Sequence, residues 1–588
     1  MPTAPFLAVG DSGEIAGQRF DVGGRLQLDH GRGPWDEWYV ALDDRRWAWL
    51  AQAQGHVYLT FPVAADDAPD WDELEPGARF TLSAAPDITF TVTERSGSAL
   101  LSAEGELPFA AVPMSSGRYV DAESPNDGFA TVDFGDGSEP PQVFVGKRYP
   151  RSALSLTREG LGPRPVEKVE TKRLRCPTCG APVPISQPAD TETVACSSCN
   201  ALLDYTQGDL VLLQRQANPE YRQVIPLGAH GTLLDEAVTV IGFMVRYVEE
   251  DGVRYRWGEY LLHSADGYRY LVETQGHFLY TRPISIADVV DTNATARYQD
   301  KRARVFQQGT AIVEYVVGEF YYKVMVADEA RTRDYVAPPY MLSRENTAGE
   351  THWSLGQYLS ADEVFAGLQL SERPPQMLGV APAQPNPHRI WSGFKMAFAL
   401  IGLLLLTHFG LSCGQDQKQL ANMVLSVPPT PHPTPTPPEY TKLSDPFTIK
   451  RGPTTLALKL ESDVANSWVG VACALVNDGN GEVRQFYVSA ERWEGGFGED
   501  AYNEGSPITT TYLGKVKAGT YTMRFLPEWG MGPGSSGRPP QAAISVRSGQ
   551  RSSALLWICL FLLLVPAFLR IWRSIAFEGR RWRESNTR

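Results

Sequence analysis

Cysteine is scarce, with seven in 588 residues, and the spacing is too uneven for a disulfide framework. Positive charge is also short: 54 Lys and Arg face 68 Asp and Glu, a formal net charge of −14. A general nucleic-acid binder would carry the opposite balance. The nine histidines form no H-E-x-x-H pattern, which removes the helix-borne zinc protease class. The glycine-rich stretch Gly10–Gly17 lacks the Lys-Ser/Thr pair that cradles phosphates, so no nucleotide loop is expected there. Asp133-Phe134-Gly135 has no kinase catalytic loop before it, and Gly135-Asp136-Gly137 reads as a turn. No Ser-His-Asp or Cys-His arrangement is legible, and no reaction can be assigned. Met1–Gly10 lacks a charged start followed by an apolar run, so no secretory signal is expected.

Long apolar runs are confined to two places, 390–411 and 553–572. Each reaches the roughly 20 residues that a bilayer span needs. Lys395 near the start of the first can snorkel, Trp557 and Trp572 suit interfacial positions in the second, and Pro566 invites a kink. Arg570, Arg573, Arg580, Arg581 and Arg583 crowd the far end of the second run, against Arg547 and Arg551 before it. The positive-inside rule then predicts an inner-membrane protein with two passes. Both termini would be cytoplasmic, 573–588 a basic cytoplasmic tail, and 412–552 outside.

What the chain has in plenty is turn residues and aromatics: 53 glycines, 44 prolines and 11% Phe, Trp and Tyr. That mixture predicts a mainly β protein of several domains. The first 380 residues repeat. Gly10 and Gly24 answer Gly228 and Gly242 at the same spacing. Trp35-Asp36-Glu37-Trp38 answers Trp257-Gly258-Glu259-Tyr260, and Gln54-Gly55-His56 answers Gln275-Gly276-His277. Gly105-Glu106-Leu107-Pro108 matches Gly318-Glu319-Phe320-Tyr321 more weakly, and the second copy has a longer hairpin around Glu249–Gly252. Alternating apolar and polar residues between the turns predict antiparallel strands. Each copy, 1–160 and 222–372, is expected to form a small barrel or curled sheet, followed by a linker at 373–389. His56 and His277 read as strand-edge residues or a shared site. Glu37 and Glu259 read as receivers of a partner's cation or as partners of a neighbouring Arg.

At these residues the chain resembles a bacterial family known as domain of unknown function 4178. The resemblance covers both copies. Asp334–Tyr340 and Trp353–Gly356 are similar to its membrane-bound members, and the first copy has no clear Ala-Pro-Pro-Tyr equivalent. It implies an envelope-associated protein and no settled activity.

Between the copies stand Cys176-Pro177-Thr178-Cys179 and Cys196-Ser197-Ser198-Cys199. Two C-x-x-C knuckles at this distance predict a zinc ribbon over 170–215, with Cys176, Cys179, Cys196 and Cys199 holding a structural Zn²⁺. Iron in a four-sulfur site is the rival. Lys168, Lys172, Arg173 and Arg175 form a small basic patch before it, which raises a nucleic-acid adaptor as one alternative. Beyond the first span, a Pro-rich linker (412–442) is expected to lead to an extracytoplasmic β-sandwich at 443–548. Its loop Trp493–Tyr502 carries aromatics and carboxylates and reads as an ordinary long sandwich loop or as a binder of a glycan, a lipid head group or calcium. The expected function is a membrane-anchored scaffold or sensor, with the bilayer and cytoplasmic proteins as partners. The alternative is an enzyme subunit or ligand-binding protein with a cleft between the β modules.

Overall fold

The computed structural model describes residues 6–587 except 54, 65, 158–173, 187–190, 206–208, 218–222, 293, 389, 414–417, 432–436, 451, 497–500 and 550–553. Most of the Gly- and aromatic-rich sequence folds into antiparallel strands, grouped in two compact units. One is Met1–Pro387 with Arg573–Arg588, the other His388–Trp572.

The first unit holds two closed barrels. In the first, β1 (Gln18–Asp29), β2 (Pro34–Leu42), β3 (Trp47–Ala53) and β4 (His56–Val63) run as a meander, followed by β5 (Ala85–Gly105), β6 (Ser116–Ser124), β7 (Gly128–Gly135) and β8 (Gln142–Pro150). β8 pairs with β4 and β5 with β1, closing the ring β1-β2-β3-β4-β8-β7-β6-β5. The second repeats this order. β9 (Glu236–Glu250), β10 (Val253–Ser264), β11 (Gly267–Thr274) and β12 (His277–Ile284) precede β13 (Lys301–Phe320), β14 (Glu329–Ala337), β15 (Tyr340–Asn346) and β16 (Thr351–Leu359). The ring closes through β12–β16 and β9–β13.

The repeated glycines are the closure points. Gly24 lies opposite Gly105 and Gly242 opposite Gly318 in the closing ladders. A Cβ on Gly24 would stand 2.3 Å from the Glu106 carbonyl oxygen, and one on Gly242 2.5 Å from that of Glu319. Side chains are therefore excluded where the two edges meet. The earlier glycines open matching turns: Gly10 N–H donates to Val22 O at 2.9 Å and Gly228 N–H to Val240 O at 2.8 Å.

Alternation along the strands places apolar residues outside the barrel walls, where loops cover them. Leu7, Phe20, Val40, Leu50 and Leu59 form one such cluster around Trp38, whose indole N–H donates to Leu7 O at 2.9 Å. Phe80, Phe90, Val120 and Val132 form another. On the second barrel, the short helix α1 (Ala361–Gly367) covers the wall through Val364 and Phe365. A capping box of Ser360 and Glu363 starts it, satisfying its first N–H groups. The barrels touch directly. Arg95 N–H donates to Gly349 O at 2.8 Å, Ile286 N–H to Glu123 at 3.2 Å, and Ser152 to Asp266 at 2.6 Å.

Two expectations change within this unit. The linker 373–389 is built into it up to Pro387, since Leu378 N–H donates to Gln275 O at 3.0 Å. The residues after 572 are not a free basic tail, because a single helix runs Ala554–Arg581. Its last turns dock on the barrel unit, where Arg581 is fully buried and donates to Gln384 O at 2.6 Å and to Pro382 O. Asn386 donates to Glu578 at 2.9 Å and Ser585 to Phe306 O at 2.5 Å. A buried guanidinium finds enough acceptors only in a formed pocket, which is why charge counting misses this.

In the second unit, strands Gln419–Leu425, Ala542–Ser548, Thr454–Ser462 and Ile508–Val516 form one sheet. Lys442–Leu443, Gly519–Met531, Ser467–Asn477, Val483–Gly495 and Tyr502–Ser506 form the other, with Phe447–Ile449 pairing at its side. They share one core that includes Leu458, Val471, Phe525 and Trp529. The sandwich begins earlier than expected. Gln419–Leu425 pairs with Ala542–Ser548, and Trp529 N–H donates to Pro428 O at 2.8 Å. The start of the expected linker is therefore structural, while Pro433–Thr436 fall outside the described residues. The Trp493–Tyr502 loop stands on a hairpin pairing Gly495 with Tyr502, and residues 497–500 are likewise outside.

Of the two expected spans, one qualifies among the described residues. Ala554–Glu584 is long and apolar enough to cross a membrane, and its Phe561, Leu562 and Trp572 are exposed. Helix Ile390–Cys413 is 24 residues long; its described apolar stretch, Phe394–Gly410, is too short by itself to count as a span.

Candidate functional site

Two features carry chemistry: the cysteine cluster and the polar interiors of the barrels.

Both cysteine knuckles are built alike. Gly180 N–H donates to Cys176 O and Asn200 N–H to Cys196 O, each at 2.8 Å. Gly180 and Asn200 take left-handed φ values of +76° and +56°, the conformation that favours these residues. The turns bring the four sulfurs within 4.8 Å of one another, with Cys176–Cys199 at 3.6 Å and Cys179–Cys196 at 3.7 Å. Thiolates about 2.3 Å from a tetrahedral ion stand ~3.8 Å apart, so the donor set fits a metal ion. The second knuckle is continuous with the second barrel: Thr193 and Val194 pair with Phe320 and Glu319, and Tyr315 donates to Asn200 at 3.1 Å. Of the basic patch, Arg175 donates to Gly180 O at 3.2 Å, while Lys168, Lys172 and Arg173 lie outside the described residues.

The polar faces of the strands point inward. Trp35 on β2 meets Tyr119 on β6 with ring centroids 5.6 Å apart, and Arg246 on β9 meets Glu345 on β15 at 2.8 Å. Both contacts cross the ring between strands that are not neighbours. A connected cavity of about 1900 Å³ takes in both interiors.

The repeated Trp-x-Glu segment is part of this lining. Trp35 N–H donates to Glu37 at 2.9 Å and Trp257 N–H to Glu259 at 2.6 Å. Across each lumen stands a second matched element. Asp121 accepts from Thr131 at 2.7 Å, and Asp334 likewise pairs with Ser343 and accepts from Gln307 at 2.8 Å. The registers Tyr119↔Asp133 and Thr332↔Glu345 then equate Asp133 with Glu345.

Electrostatics separate the two lumens. In the second, Arg246 reaches Glu345 at 2.8 Å and Glu259 at 3.3 Å, with its guanidinium 6.0 Å from the Trp257 ring centre. Burial pushes Glu259 up; it opposes ionisation of Glu345 too, but Arg246 pulls that group below the ordinary carboxylate range. Burial raises Asp334 to about 6. In the first, burial raises Glu37 to about 7, the Trp35 N–H offsets part of this and Asp133 adds to it. Asp121 and Glu94 are raised by burial and then by neighbouring carboxylates, Glu94 acting on Asp121 and Glu350 on Glu94. Arg148 is held by Glu123 at 2.8 Å and Asp127 at 3.1 Å.

The remaining expected residues fall as follows. His277 opens β12 and is buried. It donates from Nε2 to Leu378 O at 3.0 Å, which leaves Nδ1 to accept from the Tyr358 hydroxyl at 3.0 Å. His56 lines the cavity at the start of β4, and Gln54 is outside the described residues. Asp133-Phe134-Gly135 ends β7 and places its carboxylate at the lumen. Sequence reading missed Arg246, Asp121 and Asp334. The signal for them was inward register with the Trp-x-Glu strand, which only the closed ring reveals.

No curated protein sequence matches the chain. A solved structure of PNGF-II in a P21 crystal form aligns over 90% of this chain and 99% of its own, at 8% identity and a TM-score of 0.11; so low a score carries no argument. Residues 8–151 and 226–361 each match the family described as Domain of unknown function (DUF4178). These segments contain β1–β8 and β9–β16. The chain thus carries two copies of the DUF4178 domain, one per barrel.

Proposed function

We propose that this chain is a membrane-attached binding scaffold or sensor of the bacterial envelope, with its paired barrels as the binding module. The observation that carries the reading is the C-terminal helix. Its exposed apolar stretch suits a bilayer, and its last turns are held to the barrel unit by the buried Arg581. A tether that only localised the barrels would have no need of that docking. Anything that shifts the helix would bear on the barrel unit through the same hydrogen bonds, and the reverse holds too. No reaction is part of this reading.

The cysteine cluster is read as a structural zinc site. Four thiolates fill a tetrahedral shell and leave no open position for substrate or water, and the site's place beside Phe320 suits bracing of the second barrel. Elemental analysis of the purified chain tests the metal; iron in its place would assign a rubredoxin-like site.

Attachment is tested by alkaline carbonate extraction of native membranes. The full chain should stay in the pellet, and Leu562→Arg with Val565→Arg should release it. Release of the unaltered chain would sink the membrane reading. Retention of the double variant would move the anchor to Ile390–Cys413.

A further inference from the structure

One position separates the two lumens. Register sets Arg246 opposite Trp257 and Leu28 opposite Trp35, so the first copy carries an isobutyl group where the second carries a guanidinium. The carboxylates around that position are retained as Glu37 and Asp133, matching Glu259 and Glu345. In the second barrel they are neutralised from within. In the first, among the described residues, Glu37, Glu94, Asp121, Glu123 and Asp133 face the lumen; Arg148 is held by Glu123 and Asp127, while His30, Arg32 and His352 act on Glu94 and Glu350 rather than on Glu37 or Asp133.

We propose that the first lumen binds an organic cation, a guanidinium or primary ammonium group on an aliphatic chain, between Glu37 and Asp133. The second barrel supplies the template, with its Arg246 side chain seated between two carboxylates and against the indole of the same Trp-x-Glu segment. The walls of the first favour such an ion over a hydrated metal dication, because the Trp35 and Tyr119 rings and Leu28 offer π faces and apolar contact. Tyr119, in the place of Thr332, narrows that side of the lumen, and its hydroxyl is occupied with Glu94 at 2.7 Å. The selected group is thus a slender cationic chain end. The connected cavity of about 1900 Å³ leaves room for the rest of the ligand.

The inference rests on the reading of the barrels as a binding module and is tested separately from attachment. Full-length protein in detergent is titrated calorimetrically with n-butylguanidinium chloride, and in parallel with calcium chloride, at about pH 8, where Glu37 is ionised. One site for butylguanidinium is expected. Glu37→Gln should weaken binding about tenfold or more. Leu28→Arg should abolish it, because it supplies the second copy's own guanidinium. Arg246→Leu should open a second site; where that variant fails to fold, the two first-barrel variants carry the test. No butylguanidinium binding, binding indifferent to Leu28→Arg, or uptake of calcium alone would overturn the proposal. A chain that resists carbonate extraction yet binds no butylguanidinium would lose the site and keep the membrane reading. Release by carbonate with intact binding would do the converse.

Discussion

The two barrels share strand order, closing glycines and the Trp-x-Glu hydrogen bond, yet their interiors differ in charge balance. The second lumen holds Arg246 among Glu259 and Glu345, and the cysteine ribbon continues its sheet at Phe320. Among the described residues, the first has neither the central arginine nor the ribbon's strand pairing. Duplication has kept the frame and let the contents diverge: one copy is completed internally and braced, while the other keeps an acidic interior. The fold depends on the wall clusters outside each barrel, which leaves the lumen free to change without losing the apolar cores.

The comparison can be broken most forcefully at the ribbon. Cys176→Ser with Cys179→Ser is expected to abolish metal binding, which in small thiolate sites contributes on the order of 10 kcal/mol of folding free energy. Hydrogen exchange should then rise at Thr193–Ala195 and along the end of β13, with β1–β8 unchanged. Equal loss in both barrels would show that the ribbon braces the pair rather than the second copy. Next in size is Arg246→Leu, which strands Glu259 and Glu345 and should destabilise the second barrel by about 3–5 kcal/mol. Leu28→Arg should instead stabilise the first barrel by pairing Glu37. Chemical denaturation followed by region-resolved exchange reads both. Smaller again, Gly24→Ala and Gly242→Ala should each cost about 1–3 kcal/mol, because their Cβ atoms would meet a backbone carbonyl. Matching losses are expected if closure is the same device in both copies.

Much of this frame was legible in the chain. Glycines at matched spacing marked the ring closures, and the C-x-x-C pairs marked the sulfur cluster, because both depend on local backbone geometry. The lumen was not legible. Arg246 and Glu345 are 99 residues apart, and their meeting depends on a closure that sequence alternation cannot choose. Inward and outward faces were equally hidden, since apolar residues here cover the outside of the walls under loops such as the one bearing Leu74. Arg581 looked like one more positive residue after a span because its acceptors, Pro382 O and Gln384 O, are backbone atoms without a sequence signature. Gln419–Leu425 alternates too weakly to stand out beside the proline run that follows.

The smallest effect sharpens the comparison through pH. Glu37 is raised to about 7, chiefly by burial, with the Asp133 and Asp121 carboxylates facing it and the Trp35 N–H opposing the rise. Below the unfolded value near 4.5 the group is protonated in both states. Between that value and 7 the folded barrel retains a proton that the unfolded chain has released, so the stability of the first barrel declines as pH rises through this window. Glu345 runs the other way. Arg246 lowers it against the burial penalty, with Glu259 and His352 among the charges around it. Its contribution is therefore present above the unfolded value and lost as pH falls through the folded one. Asp334, raised to about 6 by burial, gives the second barrel a smaller loss of the same sign, so exchange measured at about pH 5 and pH 8 should show the first barrel losing more protection as pH rises. Occupation of the first lumen by butylguanidinium should remove that contrast, because a bound cation favours the ionised Glu37 as Arg246 favours the ionised Glu345.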